Sequence, residues 1–452
     1  MHSTRHDPTD RHALAPARLA AAGLTGLVAL GTVALASPWA STDHHPTALI
    51  DALFTAVSAA SLTGLVTVDT SSHFNLFGQI VILALIQISG LGVMSLASLL
   101  GMVLRHRLSL RHRRVAEAEG RGISSRSIKG TLQATVMLTL VVESVIAAVL
   151  ALRFALAYGH SWGQAIWLGV FHSISAFNNA GFSLQSDSLI GFVGDWFIIG
   201  PISLAIIVGG LGYPVLAEVQ RRCRGTAARP WSVTSRITLL STAALIIGGA
   251  LVFALTEHRH TFSGLGPSSF AAASTFASVT ARTAGFNSID YGQASPITLM
   301  MTDALMFIGG GSAGTAGGVK VTTVAVLAAA VLAEYRGREH TTVGRRMIPS
   351  STVRQAMAVM AAGIFTVVIA TALIRALEPH FDGDAIVFEV VSAFGTVGLS
   401  TGITGKIGAA SQLILAAVMF LGRLGPFTLV ASLALRHVDK RFSYPEERPY
   451  IG

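Results

Sequence analysis

The chain has 452 residues, of which 52% are hydrophobic and only 12% charged, with a formal net charge of +9. Soluble domains carry about 25% charged residues, so a chain this long with half that density cannot wet its own surface, and a cytosolic globule is excluded. A nucleic-acid partner is excluded as well, because 25 of the 32 Lys and Arg residues fall in five clusters between apolar blocks: Arg5 to Arg18, Arg105 to Lys129, Arg221 to Arg236, Arg336 to Arg354 and Arg436 to Arg448. Basic clusters in alternate loops are a topological signal that places both termini and three linkers on the cytoplasmic side. Docking of a cytosolic partner or of anionic lipid is the second use such runs have. The single cysteine, Cys223, rules out an intrachain disulfide.

In chain order, a polar tail (1–16) without a small-residue cleavage site leads into a retained first helix. Apolar stretches long enough to span a bilayer, about 20 residues each, follow at 17–37, 76–104, 131–157, 190–219, 236–256, 296–333, 353–377 and 409–435. Between the members of each consecutive pair lies a segment too short and too polar to cross, at 48–66, 163–184, 268–287 and 384–400. Every basic linker follows an even-numbered span, so all four short segments must dip in from the outer side. The expected fold is an all-α polytopic membrane protein of four pseudo-symmetric helix, pore-loop, helix repeats around one central pore, with eight spanning helices and four re-entrant ones. The repeats occupy 17–104, 131–220, 236–334 and 353–435, separated by linkers at 105–130, 221–235 and 335–352 and followed by a tail at 436–452.

The short segments are alike. FTAVSAASLTGLVT from Phe54, FHSISAFNNAGFSL from Phe171, TFASVTARTAGFNS from Thr275 and FEVVSAFGTVGLST from Phe388 place Gly64, Gly181, Gly285 and Gly398 at one equivalent position, and three of the four have a Ser six residues earlier. Each segment opens with helix-start chemistry: Asp51, the pair Ser161 and Gln164, Pro267 before Ser268 and Ser269, and Asp382 with Asp384. A short helix is therefore expected to run from the outer surface to the membrane centre, followed by an extended strand returning outward. Four helix carboxyl ends, each the negative end of a dipole, would then face a common point and favour a cation there. Bare backbone at bilayer depth is tolerated where it lines a water-filled cavity, and rings of carbonyls can replace an ion's hydration shell. The filter strands are expected at 62–66, 179–183, 283–287 and 396–400. Their candidate ligands are the backbone carbonyls of Leu62, Thr63, Gly64, Asn179, Ala180, Gly181, Thr283, Ala284, Gly285, Thr396, Val397 and Gly398. The fourth strand, Thr396-Val397-Gly398-Leu399, is close to the T-V-G-Y run of potassium channels, and the others are looser.

The runs Ala176 to Phe182, Arg282 to Asn287 and Ser392 to Ser400 resemble the filter signatures of the TrkH/TrkG/KtrB superfamily of potassium transporters, over essentially the whole chain from about residue 17 to 436. Eight spans are most similar to the KtrB branch. That resemblance implies potassium as the substrate ion, sodium as a candidate activator, no cofactor in this chain, and a homodimer in the plasma membrane. It also implies a cytosolic regulatory ring subunit of the KtrA/TrkA type, which would carry the nucleotide.

The second helix of each repeat has its own small-residue interruption: Ser89 to Gly92, Gly209 to Gly212, Gly309 to Gly311 and Gly422 to Gly425. Close helix packing explains such residues, and a hinge is the alternative. Arg423 occupies the place of Gly90 and Gly210, and a lone Arg within an apolar span is a functional candidate. A pore-facing role is expected, against pairing with a carboxylate such as Glu143 or Asp303. The run 309–318, with Gly309, Gly310, Gly311, Gly314, Gly317 and Gly318 interleaved with Ser312, Ala313, Thr315 and Ala316, cannot remain helical at about 1 kcal/mol per Gly. It lacks the G-K-[ST] ending of a phosphate-binding loop and reads instead as an intramembrane gating loop anchored by Lys320, as in the similar family. Glu389 is expected to support the fourth pore helix through its dipole or a salt bridge, and Arg282 to hold the pore helix or filter through backbone carbonyls. His172 and the other histidines have no metal-ligand spacing. Among other classes, an alternating-access carrier predicts two repeats with broken spanning helices, an intramembrane enzyme needs a catalytic dyad, and a sensor needs an output domain.

Overall fold

The computed structural model describes residues 15–107, 125–225, 230–312, 314–344 and 346–435. The C-terminal tail, most of the N-terminal tail and most of the 105–130 linker lie outside the described residues, as do 226–229, Ala313 and Arg345. Among the described residues the regular structure is helical apart from one two-stranded hairpin, Thr342–Val343 (β1) against Arg346–Met347 (β2), in the third linker.

Helix α1 (Ala15–Ala36), α2 (Leu49–Ser61), the single turn α3 (Thr70–His73) and α4 (Leu76–Arg107) fall in the stretch expected as the first repeat. The second consists of α5 (Ser125–Ala157), α6 (Trp162–Phe177), α7 (Trp196–Leu211) and α8 (Tyr213–Cys223), and the third of α9 (Val233–Glu257), α10 (Pro267–Thr280), α11 (Pro296–Phe307) and α12 (Val321–Tyr335). The fourth is α13 (Ser350–Leu377), α14 (Gly383–Gly395) and α15 (Ala409–Leu435).

Gln133–Ala157, Val233–Glu257 and Ser350–Leu377 are each long and apolar enough to cross a membrane unaided. Two expected spans are divided. The apolar stretch 190–219 is not one helix: it opens with a 3-10 turn at Ile190–Phe192, and α7 and α8 meet at Gly212 (φ +86°) with a bend of 106°. Pro214 at the start of α8 has no N–H to donate, which suits a helix start and not the interior of a continuous helix. The stretch 296–333 is open from Ile308 to Lys320, between α11 and α12. By contrast, α4 and α15 run through Ser89–Gly92 and Gly422–Gly425 without a break. There the glycines serve close packing: a Cβ on Gly422 would strike the Phe394 carbonyl, as one on Gly209 would strike that of Phe177.

The short helices α2, α6, α10 and α14 are the most buried elements, and the others pack around them. On α9 the core face is Ile237, Thr238, Thr242, Gly249 and Phe253, while Leu240, Ile247, Leu251 and Leu255 form one exposed apolar stripe, each 59% exposed or more. An apolar stripe of that extent facing outward fits a lipid solvent and not water.

In each of the four expected repeats, one polar side chain ties the ends of two long helices, away from the glycine loop. Asn75 donates to the carbonyls of Trp39 and Ser41 (2.8 and 3.0 Å) and caps the start of α4. Asp195 caps α7 and accepts from Arg153 (2.7 Å) and Tyr158 (3.0 Å) at the end of α5. Glu257, closing α9, accepts from the Ser295 amide (3.0 Å) and the Thr298 hydroxyl (2.5 Å) at the start of α11. Glu378, just past α13, accepts from the Gly408 amide (2.7 Å) and the Ser411 hydroxyl (2.9 Å) at the start of α15. Each tie places an acceptor on otherwise unpartnered helix N-terminal donors. Removing one leaves those donors unsatisfied, so Glu378→Ala should cost about 1–3 kcal/mol. The expected outcome is a lower midpoint of thermal unfolding in detergent, with Glu378→Gln retaining part of the difference.

Candidate ion pathway

Each short helix ends in the same chain reversal. Leu62 (φ +60°), Asn179 (φ +55°), Thr283 (φ +82°) and Thr396 (φ +49°) are left-handed, and each stands two residues before a glycine that is also at positive φ, namely Gly64, Gly181, Gly285 and Gly398. The amides of Thr63, Ala180 and Val397 return to the carbonyls of Ser58, Ser175 and Ser392 at 2.8, 2.8 and 2.9 Å, the six-to-one bond of a Schellman cap. The same serines then tether the strand by their hydroxyls. Ser58 and Ser392 accept from the amides of Gly64 and Gly398, both at 3.0 Å, and Ser175 donates to the Phe182 carbonyl at 2.8 Å. In the third repeat, where the serine is absent, Thr280 does both: it accepts from the Ala284 and Gly285 amides and donates to the Phe286 carbonyl at 2.9 Å.

The four strands close a ring. A Cβ built on Gly64 would strike the Ala180 carbonyl oxygen, one on Gly181 that of Ala284, one on Gly285 that of Val397, and one on Gly398 that of Thr63. Each glycine is thus seated against the carbonyl that precedes the glycine of the next repeat, and the fourth repeat returns to the first. None of these four carbonyls accepts a hydrogen bond among the described residues. At the inner end the side chains are unequal. With its amide oriented to satisfy both groups, Asn179 donates to the carbonyls of Ala176 and Ile206 (each 3.2 Å) and accepts from the Thr283 hydroxyl at 3.0 Å. The Thr396 hydroxyl is buried without a partner, and Leu62 is apolar.

The open segment from Ile308 to Lys320 lies against the inner end of the fourth strand, where a Cβ on Gly317 would strike Thr396. Its two ends are zipped by Gly309 N–H to Val319 O (2.8 Å) and Val321 N–H to Gly310 O (3.1 Å). Ser312 and Thr322 share a hydroxyl hydrogen bond of 2.8 Å. The loop also caps a broken helix: the Gly311 amide donates to Gly210 O (2.8 Å) and the Thr315 amide to Gly209 O (3.3 Å), both in the last turn of α7. Gly310, Gly311 and Gly314 have no room for a side chain, since a Cβ on any of them would fall within 3.2 Å of Gly210 O.

Two cations, one buried and one half-buried, are bonded to this loop. Arg423 on α15, 6% exposed, donates from Nη1 to the Thr315 carbonyl, and Lys320 donates to the adjacent Ala316 carbonyl. The carboxylate partner considered for Arg423 is not found. Glu143 instead accepts from Gln87 (3.0 Å) and Asn178 (3.1 Å), and among the described residues Arg423 makes no ion pair.

Glu389 differs from expectation. It lies midway along α14, too far from the first turn for the dipole to matter, and accepts from the Ser400 hydroxyl (2.6 Å), the Thr401 amide (3.0 Å) and the Thr404 hydroxyl (2.7 Å). It fastens the strand that follows Gly398. Arg282 reaches across to α9, where its terminal nitrogens lie 3.5 Å from the carbonyl and hydroxyl of Thr242, and it does not hold the filter strand. His172 is buried between the Leu168 carbonyl (2.8 Å) and the Ser183 hydroxyl (3.0 Å).

A family model described as TrkH, cation transport protein, matches residues 29–444, a range that includes all four glycine strands, the loop and Arg423. The chain belongs to the TrkH family of cation transport proteins. Among relatives, it is 37% identical to the Ktr system potassium uptake protein B of Bacillus subtilis over 97% of each chain. It is 35% identical to the potassium/sodium uptake protein NtpJ of Enterococcus hirae over 98% of each. The fold matches the crystal structure of the potassium transporter TrkH from Vibrio parahaemolyticus with a TM-score of 0.72 at 18% identity, covering 95% of this chain and 86% of that one. Like other members of the TrkH family, this is therefore a helical membrane protein.

Sequence reasoning missed the left-handed residues before the TrkH-family glycines, because Leu and Thr carry no signal for positive φ. The repeated serine was visible, but its tethering role was not. A methyl group at the ring would meet the neighbouring carbonyl and also sit on a strained backbone. Gly285→Ala and Gly398→Ala are expected to abolish cation flux in proteoliposomes while the protein still purifies at normal yield, because the clash is local to the ring.

Proposed function

We propose that this chain is the membrane subunit of a potassium uptake system, a gated, channel-like permease. The observation that carries the reading is the closed ring of four glycine strands in which the carbonyls of Thr63, Ala180, Ala284 and Val397 accept no hydrogen bond among the described residues. A potassium ion leaving water loses its hydration shell, and unpaired carbonyl oxygens arranged around an axis can replace it. The carboxyl ends of four short helices add negative potential at the inner mouth. The eight-span, four-pore-loop topology, with both termini and the basic linkers cytoplasmic and the chain in the plasma membrane, is the arrangement that suits this role.

The loop from Gly309 to Gly318 is the gate in this reading. It stands beneath the fourth strand, pinned by Arg423 and Lys320, and these positive charges oppose a cation at the inner end of the filter. Opening moves the loop aside and releases both bonds. The permease works as a homodimer on a cytosolic regulatory ring subunit that binds the nucleotide, and names containing "Ktr system" among the relatives support a multicomponent assembly. Sodium is a second substrate or an activator: three of the four strands depart from T-V-G-Y, and one relative is named a potassium/sodium uptake protein. The alternating-access alternative is less well supported, because the ring joins four repeats and not two.

The test is growth of a potassium-uptake-deficient bacterium at low potassium, with and without sodium, when this chain is expressed with a ring subunit. Growth should be restored. Gly398→Ser should abolish it or admit sodium, and unchanged potassium selectivity would sink the filter assignment. Arg423→Ala, or a loop shortened within 309–318, should raise flux measured without the ring subunit; wild-type flux in both would remove the gate.

A further inference from the structure

Three cations surround the loop: Lys320, half-buried, and Arg423, buried with its Nε and Nη2 unpartnered among the described residues, are each bonded to a loop carbonyl. Arg282 is not. It is 7% exposed, its Nε has no partner, and its best contacts are the two marginal 3.5 Å ones to Thr242. Among the described residues it makes no ion pair. Its guanidinium lines a cavity of about 10 Å3, room for a single water, whose other walls include Gly210, Leu211 and Gly310. A buried charge with only marginal contacts is costly, and a charge within an apolar span is a functional candidate.

The cavity walls point to that function. The last carbonyls of a helix have no partner within the helix and carry the negative end of its dipole. For α7 the missing donors are the loop amides of Gly311 and Thr315, on the carbonyls of Gly210 and Gly209. When the loop withdraws, those carbonyls are stranded at bilayer depth, where each unsatisfied group costs several kcal/mol. A guanidinium has five donors in a planar fork and can serve two carbonyls at once. We propose that Arg282 takes over the α7 carbonyls of Gly209 and Gly210 when the loop leaves them, so that it stabilises the loop-withdrawn state. Arg423 and Lys320 hold the gate shut, and Arg282 holds it open. The inference rests on the gating-loop reading above and assigns that gate its opposing partner.

The test follows loop position and flux together, using purified protein in liposomes with Cys223→Ser and Ser312→Cys as the parent, so that thiol labelling reports exposure of the loop. Arg282→Gln should slow labelling and lower potassium flux by about fivefold or more, the low end for coupling between two states, without changing the potassium-to-sodium ratio. Thr242→Val removes the resting hydroxyl partner of Arg282 and should act in the opposite direction, speeding labelling and raising flux. A mere prop for the third strand would instead alter the ion ratio in Arg282→Gln and give no gain in Thr242→Val. Labelling unchanged in Arg282→Gln overturns the proposal, and if that variant does not fold, unchanged labelling in Thr242→Val does so alone. Arg423→Ala in the same background separates the two readings. If it speeds labelling while the Arg282 and Thr242 variants do nothing, only the present inference fails. If it does not, the gate itself is wrong and this inference falls with it.

Discussion

The structure depends on one close approach: four glycines seated against four carbonyls, each carbonyl belonging to the next repeat. No Cβ fits at any of the four positions, so the ring can close only if every repeat supplies a glycine there. Everything around it serves that approach. The short helices must stop where they do, their last turns must reverse through two left-handed residues, and a Ser or Thr hydroxyl must pin the strand that emerges. Glu389 and the outer ties from Asn75, Asp195, Glu257 and Glu378 then hold the surrounding helices at the spacing the ring requires.

Below the ring the constraint is electrostatic. Seven Lys and Arg residues lie outside the basic clusters, and three of them, Arg282, Lys320 and Arg423, are gathered around the glycine loop. Sequestering three cations that have no carboxylate partner among the described residues, two buried and Lys320 half-buried, is unfavourable, and in compensation they use backbone: loop carbonyls for Lys320 and Arg423. The broken helices provide those carbonyls. An unbroken α7 would have no free carbonyl ends at Gly209 and Gly210, and an unbroken helix through 309–318 would have no free amides to cap them. The two breaks are complementary, and glycine is required at both because the backbones approach within hydrogen-bonding distance.

Much of this was legible in the chain. Four segments sharing a glycine and a preceding small residue, three of them with an earlier serine, stood out as one pattern, since a spacing that recurs four times needs no structure to be noticed. The loop was legible because six glycines in ten residues cannot be helical, and Arg423 because a charge within an apolar span has no bland explanation. The break of α7 at Gly212 was only partly legible: Gly209 to Gly212 stood out as an interruption, but close packing explained it and 190–219 read as one span. Glu389 was misplaced for a related reason: its position near the segment start suggested a helix dipole, whereas its partners Ser400, Thr401 and Thr404 lie on a strand that folds back beside it.

The sequence by itself determined the apolar character of the chain, the fourfold recurrence of the glycine segments and the positions where backbone had to come close, because hydropathy, periodicity and glycine are local properties. Only the tertiary structure decided which carbonyl each glycine faces, that Arg423 meets Thr315 and no acid, and that Arg282 looks across a small cavity at the end of α7. Those pairings join residues up to hundreds of positions apart, from different repeats. They are set by how four similar units pack around one axis, which no single unit encodes.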